Sequence, residues 1–313
     1  MFFYLLIATC YLLFASCATS PKAGAVLEDG SPDFSLLPPG ANLYLWADIE
    51  KAKPLLDALS YEGLSVRSAK QVLDRTDSAL AAFYSDNASR RFFLATLGNY
   101  PNLRAGASMS FGRGWKRVKS DTGNRYWYSS GYKMGVAVGP KLAMVSDGDP
   151  FAPGQGSNPS PQGFEEFRRT CVMSGWLNNP GDFLNSFISK LGIPLQLPAE
   201  ELFFGVARSP ADKASQDASR NDTWELVLKI KTSSAAQARS LVSLFSFARL
   251  FIQRGDLDDE EIEGSLMSPL EAAMLFFANP PVQDAEFLTL RIDSLSEYRI
   301  ALLFNMFSAY AGK

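Results

Sequence analysis

Residues 125–146 read RYWYSSGYKMGVAVGPKLAMVS and indicate the fold more clearly than any other stretch of the chain. Two turn pairs, Ser130-Gly131 and Gly139-Pro140, divide this stretch into three short runs that are rich in apolar residues. Short runs bounded by such turns are typical of consecutive antiparallel strands. We therefore predict three strands here, at residues 125–130, 133–138 and 141–146.

The elements predicted on either side of this meander are a mixture of strands and helices. Before it we expect strands at 42–47, 91–97 and 104–111 and helices at 49–60 and 68–84. After it we expect strands at 171–176, 202–207, 224–231, 286–292 and 298–304 and helices at 180–191, 234–253 and 269–278. Ser268 and Glu271 form a capping-box signal at the start of the last helix. The sequence thus predicts an α+β fold of mostly antiparallel sheet with helices on one face.

A stretch rich in proline and glycine divides the body in two. Residues 149–163 (DPFAPGQGSNPSPQG) show no apolar periodicity, and we predict that they link a module at 33–148 to a module at 164–313. Both modules begin with the order strand, helix, strand, strand, and each contains a strand with a Phe-Phe pair, at 92–93 and 203–204. This shared order favours a duplication, and two unrelated α+β domains are the alternative.

Composition excludes several functional classes. Of the 313 residues, 47% are hydrophobic and 20% charged, as in ordinary globular proteins. The net charge of −3 argues against a general nucleic-acid binder. The chain contains no histidine, which removes Ser/His/Asp catalysis and the usual metal-ligand clusters. We accordingly expect no cofactor and no metal, and the acidic run at 256–263 does not fit a calcium-binding EF-hand loop.

The first 16 residues, MFFYLLIATCYLLFAS, form an uncharged apolar run that ends in small residues before Cys17. A transmembrane helix needs about 20 apolar residues, so this run fits an export signal better than a membrane span. The sequence Ala15-Ser16-Cys17 resembles the lipobox of bacterial lipoproteins. Phe14 stands where leucine is usual, a departure that resembles the relaxed lipoboxes of spirochaetes.

This resemblance implies how the chain is processed. The signal peptide at 1–16 would be removed, and Cys17 would become the first residue, carrying on its sulfur a lipid with two fatty-acid chains such as palmitate. The protein would then be anchored to the inner or outer membrane of the cell envelope, facing the periplasm or the surface, with residues 17–32 as a flexible tether. Cleavage near Ala18 to give a soluble secreted protein and an uncleaved apolar anchor are the alternatives.

Of the three cysteines, only Cys171 lies in the body of the chain. An internal disulfide is therefore impossible when Cys17 is acylated. We expect Cys171 to be a small buried hydrophobic residue on a strand, and a reactive or intermolecular thiol is the alternative.

An aromatic group in the first module is a candidate binding surface. It comprises Trp115, Tyr126, Trp127, Tyr128 and Tyr132, with the cations Arg113, Lys116, Arg117 and Lys119 at its rim. Such rings stack on sugars, peptides or lipids, and the cations could meet anionic lipid headgroups. The alternative is packing within a hairpin, and because side chains alternate along a strand, one face should be core.

The sequence contains no recognisable catalytic motif. We therefore expect a non-enzymatic lipoprotein that binds an apolar ligand, such as a lipid, or an envelope protein, between or on its two modules. Helix positions such as Phe245, Ala248 and Phe251 are expected to be core, although such faces could enclose a lipid. The alternatives are an envelope hydrolase that uses carboxylates and a structural or surface-antigen lipoprotein without a ligand. The sequence leaves the oligomeric state open.

Overall fold

The structure, a computed structural model, contains two compact units. It describes residues 33–58, 72–86, 89–101, 109–110, 114–151, 160–181, 185, 198–209, 223–254 and 267–311. The N-terminal unit takes in residues 2–53 and 61–163, and the C-terminal unit takes in residues 54–60 and 164–313. The predicted α+β class with a mostly antiparallel sheet is confirmed.

Seven antiparallel strands lie in the described part of the N-terminal unit. They are β1 (Leu43–Asp48), β2 (Thr76–Asp86), β3 (Ser89–Gly98), β4 (Trp115–Lys119), β5 (Arg125–Ser129), β6 (Met134–Val138) and β7 (Leu142–Ser146). In space they follow the order β1-β2-β3-β7-β6-β5-β4. A 3-10 turn (Phe34–Leu36) precedes β1, and helix α1 (Ile49–Ala58), whose residues from 54 onwards are grouped with the C-terminal unit, follows it. The predicted meander is present as β5, β6 and β7, which lie side by side.

The strands of the N-terminal unit carry buried side chains on both faces. β6 and β7 are buried at every position, which is why their sequences show no alternation of polar and apolar residues. On one face, Leu94, Val136 and Val145 belong to a single core cluster. On the opposite face, Tyr44 and Leu80 are fully buried.

Gly135 allows the chain after β7 to fold back onto the sheet. A Cβ atom at this position would lie 1.9 Å from the carbonyl oxygen of Gly148 and 2.9 Å from Cδ of Pro150, closer than any side chain can approach. The Asp149 carboxylate accepts a hydrogen bond from the N–H of Phe151 at 2.8 Å. The stretch predicted as a linker therefore begins as a hydrogen-bonded turn packed on β6.

Five antiparallel strands and four helices lie in the described part of the C-terminal unit. The strands are β8 (Met173–Asn178), β9 (Glu201–Arg208), β10 (Trp224–Lys231), β11 (Val282–Asp284) and β12 (Phe287–Leu295), in the spatial order β8-β9-β10-β12-β11. The helices are α2 (Phe164–Arg169), α3 (Ala235–Arg254), α4 (Pro269–Phe276) and α5 (Glu297–Ala311). α2 packs on β8 and β9, whereas α3 packs on β11, β12 and α4.

Large aromatic side chains form much of the core of the C-terminal unit. Phe164 on α2 and Trp176 on β8 are fully buried, with ring centroids 4.5 Å apart, and Phe203 on β9 lies 5.7 Å from Phe164. Trp176 and Phe203 are register partners and so share a face of the sheet. Burial of each such ring contributes roughly 1.5–3 kcal/mol, so this cluster fixes α2 on the sheet.

The helix predicted at 68–84 is wrong in its second half, where the chain forms strand β2. The segment 78–84 reads SALAAFY, whose alanines and lack of alternation are typical of a helix. β2 lies between β1 and β3 and buries Leu80, Ala81 and Ala82 in succession. A strand covered on both faces loses the period of two on which sequence prediction depends. Residues 59–71 lie outside the described part.

The strand predicted at 298–304 is also wrong, because these residues lie in helix α5. Ile300 and Leu303 are both buried, which is the spacing of a helix face. The missed signal was Ser296, whose hydroxyl accepts a hydrogen bond from the N–H of Arg299 at 3.3 Å in the manner of an N-cap. The helix that begins at this cap forms even though the apolar residues at 298–304 alternate as in a strand.

Several remaining differences concern single elements. Residues 109–110, at the end of the strand predicted at 104–111, are helical, and the rest of that strand lies outside the described residues. The helix predicted at 180–191 lies almost entirely outside them. Strands β4 and β11 and helix α2 had no predicted counterpart. The Phe-Phe pair at 92–93 lies in the third described strand of its unit, whereas the pair at 203–204 lies in the second described strand of its own, so the two pairs do not hold matching places. Duplication stays a prediction.

Candidate binding surface on a strand edge

A tight hairpin turn brings several of the predicted aromatic and cationic residues together. Residues 120–124 (SDTGN) join β4 to β5, and the N–H of Ser120 donates to the carbonyl oxygen of Asn124 at 2.8 Å. Thr122 donates its N–H to Oγ of Ser120 at 3.2 Å. Gly123 has a φ of +85°, a conformation that glycine adopts without a steric penalty. These contacts fix the register of β4 against β5.

Trp127 belongs to the core of the N-terminal unit. It lies opposite Arg117 on β4 and Val136 on β6, and only 7% of it is exposed. Its side chain packs in the core cluster, and its indole N–H has no hydrogen-bond acceptor among the described residues. Trp127 is therefore positioned for packing and not for contact with a ligand at the surface.

Tyr126 and Tyr128 point to the opposite face of β5 from Trp127. Tyr126 is buried, and burial raises the pKa of its hydroxyl above the ordinary value. Tyr128 is half-buried opposite Lys116 on β4. The five aromatic residues of the predicted surface do not form one platform, because alternation along β5 distributes them between two faces.

Trp115 and Tyr132 form a separate aromatic pair. Their ring centroids are 6.3 Å apart, with an angle of 32° between the ring planes. Tyr132, in the turn after β5, is 66% exposed, and Trp115 is half-buried. This pair and half-buried Tyr128 are the members of the predicted aromatic group that a ligand or surface can reach.

Cationic side chains line the outermost strand beside this pair. β4 lies at the end of the strand order and, among the described strands, pairs with β5 alone. Lys116, Arg117 and Lys119 are exposed along it, and Arg113 lies outside the described residues. Strand β4 together with Trp115, Tyr132 and these cations is called the β4–β5 edge below.

Cys171 and the carboxylate of Glu225 are buried close to each other. Cys171 is buried just before β8, and burial raises the pKa of its thiol to about 11. The unreactive thiol form therefore dominates at neutral pH. Glu225 is 4% exposed and forms an ion pair with Arg291. A buried carboxylate without such a partner would cost several kcal/mol, so the pair explains how Glu225 is tolerated.

A small cavity lies beside α3 in the C-terminal unit. Its volume is about 90 Å³, and its lining includes Phe245, Arg249 and Phe277. Sites for small ligands usually enclose roughly 300–1,000 Å³, so this cavity is too small for a lipid chain. Phe245 and Phe277 contact each other with ring centroids 5.0 Å apart, as expected of core packing.

The described residues do not include a group of three or more His, Cys, Asp and Glu side chains placed to hold a metal ion. No helix in the described ranges combines the length and the apolarity that crossing a membrane requires. The fold and the site together define a class: an α+β protein built of two antiparallel-sheet units, with a cationic and aromatic strand edge on the N-terminal unit.

The comparison with protein families adds a more particular relationship. Residues 31–151 match the family model described as "Outer membrane-associated lipoprotein TP0453", a family from a spirochaete (Treponema). The matched residues begin after the segment that the sequence predicts to be a leader. The match confirms the predicted resemblance to spirochaete-like lipoproteins and the predicted place in the cell envelope. No curated protein matches the chain.

Solved structures of TP0453 share the fold. Crystal form III has a TM-score of 0.53 at 15% sequence identity and covers 89% of this chain and 100% of that one. Crystal form I has a TM-score of 0.53 at 16% identity, with coverages of 92% and 100%. Crystal form IV has a TM-score of 0.52 at 17% identity, with coverages of 89% and 98%. The likeness therefore concerns the fold, and it extends over both units.

Proposed function

We propose that this chain is a lipoprotein of the outer membrane, held there through acylated Cys17, and that it acts by binding and not by catalysis. The observation that carries the proposal is the agreement of two separate stretches. The end of the leader, Ala15-Ser16-Cys17, has the pattern of a lipobox, and residues 31–151 match a family described as outer membrane-associated lipoproteins. Because the stretches do not overlap, each supports the class independently.

Two acyl chains on Cys17 would provide the attachment. Each buried methylene group contributes about 0.8 kcal/mol, and a single myristoyl chain binds a bilayer only marginally. Two chains therefore hold the protein stably, without a membrane-spanning helix. Residues 17–32 would act as the tether between the bilayer and the body.

We further propose that the body contacts its ligand or partner through the β4–β5 edge. The exposed ring of Tyr132 packs beside the ring of Trp115. The exposed cations of β4 lie on the same strand as Trp115. A ring beside a cation can provide both apolar contact area and charge, a combination that suits lipids, sugars and peptides of the envelope. No comparable observation favours a hydrolytic function.

The anchor predicts a specific effect of replacing Cys17. In cells fed a fatty-acid analogue, Cys17→Ala should abolish incorporation of the label and move the protein from the detergent phase to the aqueous phase. The matched control is Cys10→Ala, which removes a cysteine from within the same leader and should leave labelling intact. Labelling that survives Cys17→Ala would contradict the proposed anchor, as would loss of labelling in both variants.

A further inference from the structure

The charge of the β4–β5 hairpin is opposite to that of the chain as a whole. Residues 115–133 contain five cationic side chains and one acidic side chain, which gives a net charge of +4, whereas the whole chain has a net charge of −3. The cations are Lys116, Arg117, Lys119, Arg125 and Lys133, and all five are exposed. They form no ion pair with a carboxylate among the described residues. The hairpin is thus a patch of net positive charge without ion pairs among the described residues.

The register shows how these charges are arranged around the edge. Lys116 lies opposite Tyr128 on one face of the hairpin, whereas Arg117 and Lys119 lie on the other face. The cations therefore project from both sides of the outermost strand. A ligand lying over one face would meet only some of the three cations of β4, whereas a flat surface in front of the edge can meet cations from both faces.

The aromatic pair lies at one end of the same strand. Tyr132 is 66% exposed and stacks beside half-buried Trp115. Tryptophan and tyrosine rings are favoured at the level of lipid headgroups, where one end of the ring is apolar and the other is hydrated. The edge therefore combines the two side-chain types that peripheral contact with a bilayer uses, cations for phosphate and aromatic rings for the interface.

We propose that the β4–β5 edge docks on a membrane surface that contains anionic phospholipids, with the cations against phosphate groups and Trp115 and Tyr132 at headgroup level. The proposal deepens the binding function proposed above and rests on it. A flexible segment with the 16 residues of the predicted tether would span roughly 20 Å on average, so a chain anchored at Cys17 would be held within reach of the bilayer.

An acidic protein strand added to β4 is the competing occupant, and the observations disfavour it. Lysines along an outermost strand are a common means of preventing another strand from pairing there. In β4, three of five positions are exposed cations, so an incoming strand would have to desolvate cations on both faces. A hydrated headgroup layer demands no such desolvation.

Tryptophan fluorescence can report selectively on contact between the β4–β5 edge and lipid. Of its five tryptophans, Trp46, Trp127, Trp176 and Trp224 are buried, and only Trp115 is half-buried. We would place the acylated full-length mature protein in vesicles of brominated phosphatidylcholine, with or without phosphatidylglycerol. Brominated lipid should quench part of the fluorescence in anionic vesicles. The quenching should fall to background in neutral vesicles, at high salt, and in the Trp115→Phe variant.

Charge variants distinguish binding through the β4–β5 edge from a general attraction of the protein to an anionic surface. K116E/R117E/K119E should abolish quenching in anionic vesicles, whereas K141E/R239E/R299E should retain it, because the second set changes net charge equally at exposed positions elsewhere. Each cation near an anionic surface contributes roughly a five-fold change in partition, so the loss of three cations alone should weaken the flotation of the non-acylated chain with anionic vesicles by about a hundred-fold. The three added glutamates are repelled by the same surface, so the charge-reversal variant should lose at least this much. Circular dichroism of each variant would verify that it is folded.

The outcomes of docking and anchoring can be told apart. An acylated protein that floats with vesicles but shows no Trp115 quenching would overturn docking and leave the anchor intact. Docking would also be overturned by equal quenching in neutral and anionic vesicles. An equal loss of quenching in the two triple charge variants would overturn it as well. Salt-sensitive binding of an acidic peptide to the edge without quenching by lipid would assign the edge to a protein partner instead. Should Cys17 carry no lipid, flotation of the non-acylated chain still tests docking.

Discussion

Two tryptophans of the β4–β5 hairpin illustrate how burial sets the role of a residue. Trp115 and Trp127 lie on the same face of the hairpin. Trp127 is almost fully enclosed by the core cluster, whereas Trp115 packs at the border of that cluster and remains half-exposed. The hydrophobic contribution scales with the apolar area removed from water, so the two residues should differ in energy although they are chemically identical.

Truncation of each residue should therefore have a different effect on stability. Trp127→Ala is expected to lower the free energy of unfolding by about 3–5 kcal/mol, because it removes a buried ring and leaves a cavity. Trp115→Ala should cost less than about 2 kcal/mol, since water already contacts part of that ring. Chemical denaturation monitored by circular dichroism measures both. Equal losses would contradict the assignment of Trp127 to the core and Trp115 to the surface.

Alternation along β5 was enough to predict that Trp127 and the neighbouring tyrosines point to opposite faces. It was not enough to predict which face is accessible, because both faces of the N-terminal unit are buried over most of the strands. Tyr132 is exposed because it lies in the turn after β5, whereas the accessibility of Trp115 depends on β4 being the last of the described strands in the order. That position is set by pairing between strands distant in sequence, which a local pattern does not encode.

At the scale of elements, the start of α4 was predicted in full. Ser268 accepts a hydrogen bond from the N–H of Glu271 at 3.1 Å, and the Glu271 carboxylate accepts one from the N–H of Ser268 at 3.0 Å. Pro269 occupies the first helical turn, where it loses no hydrogen bond. Such caps are local, so a stretch of four residues contains all the information needed.

The capping box predicts a measurable cost for its removal. Ser268→Ala should lower the free energy of unfolding by about 1 kcal/mol, because the N–H of Glu271 then loses its acceptor. Ser268→Asp is the matched control, since aspartate also accepts at an N-cap and should cost much less. Thermal and urea unfolding would measure both variants. If Ser268→Asp proves as destabilising as Ser268→Ala, the hydroxyl contributes through packing and not through the cap.

Elements determined by distant contacts were the ones that the sequence did not reveal. β2 forms a strand despite its alanines because β1 and β3 supply partners on both sides. The tertiary environment of β2 outweighs a propensity that amounts to less than about 1 kcal/mol per residue. α5 differs, because its cap at Ser296 is a local signal and only the burial of Ile300 and Leu303 depends on distant contacts.

At the scale of the whole molecule, the lack of histidine shapes the response to pH. Stability changes with pH only where the folded and unfolded states bind different numbers of protons. Histidine is the side chain whose ordinary pKa lies between about 5 and 8, and the chain has none. Carboxylates of ordinary pKa are fully ionised by about pH 6, and lysines and tyrosines remain protonated to about pH 9. The unfolding temperature should therefore change little between pH 6.5 and 8.5.

Asp147, directly after β7, is a carboxyl group whose contribution to stability should depend on pH. Burial raises the pKa of its carboxyl group, and the hydrogen bond from the N–H of Phe92 and the charge of Arg91 only partly oppose that effect. Because the folded state then holds the proton more tightly, the stabilising contribution of Asp147 is present at low pH and is lost as the pH rises through its folded pKa. Asp147→Asn cannot ionise, so it should raise the unfolding temperature at pH 7 relative to the unmodified chain, and the difference should shrink towards pH 4. Scanning calorimetry of both proteins from pH 4 to pH 8.5 measures this. A difference that grows as the pH falls would mean that the ionised carboxylate is stabilised by its partners and that burial is not the dominant effect.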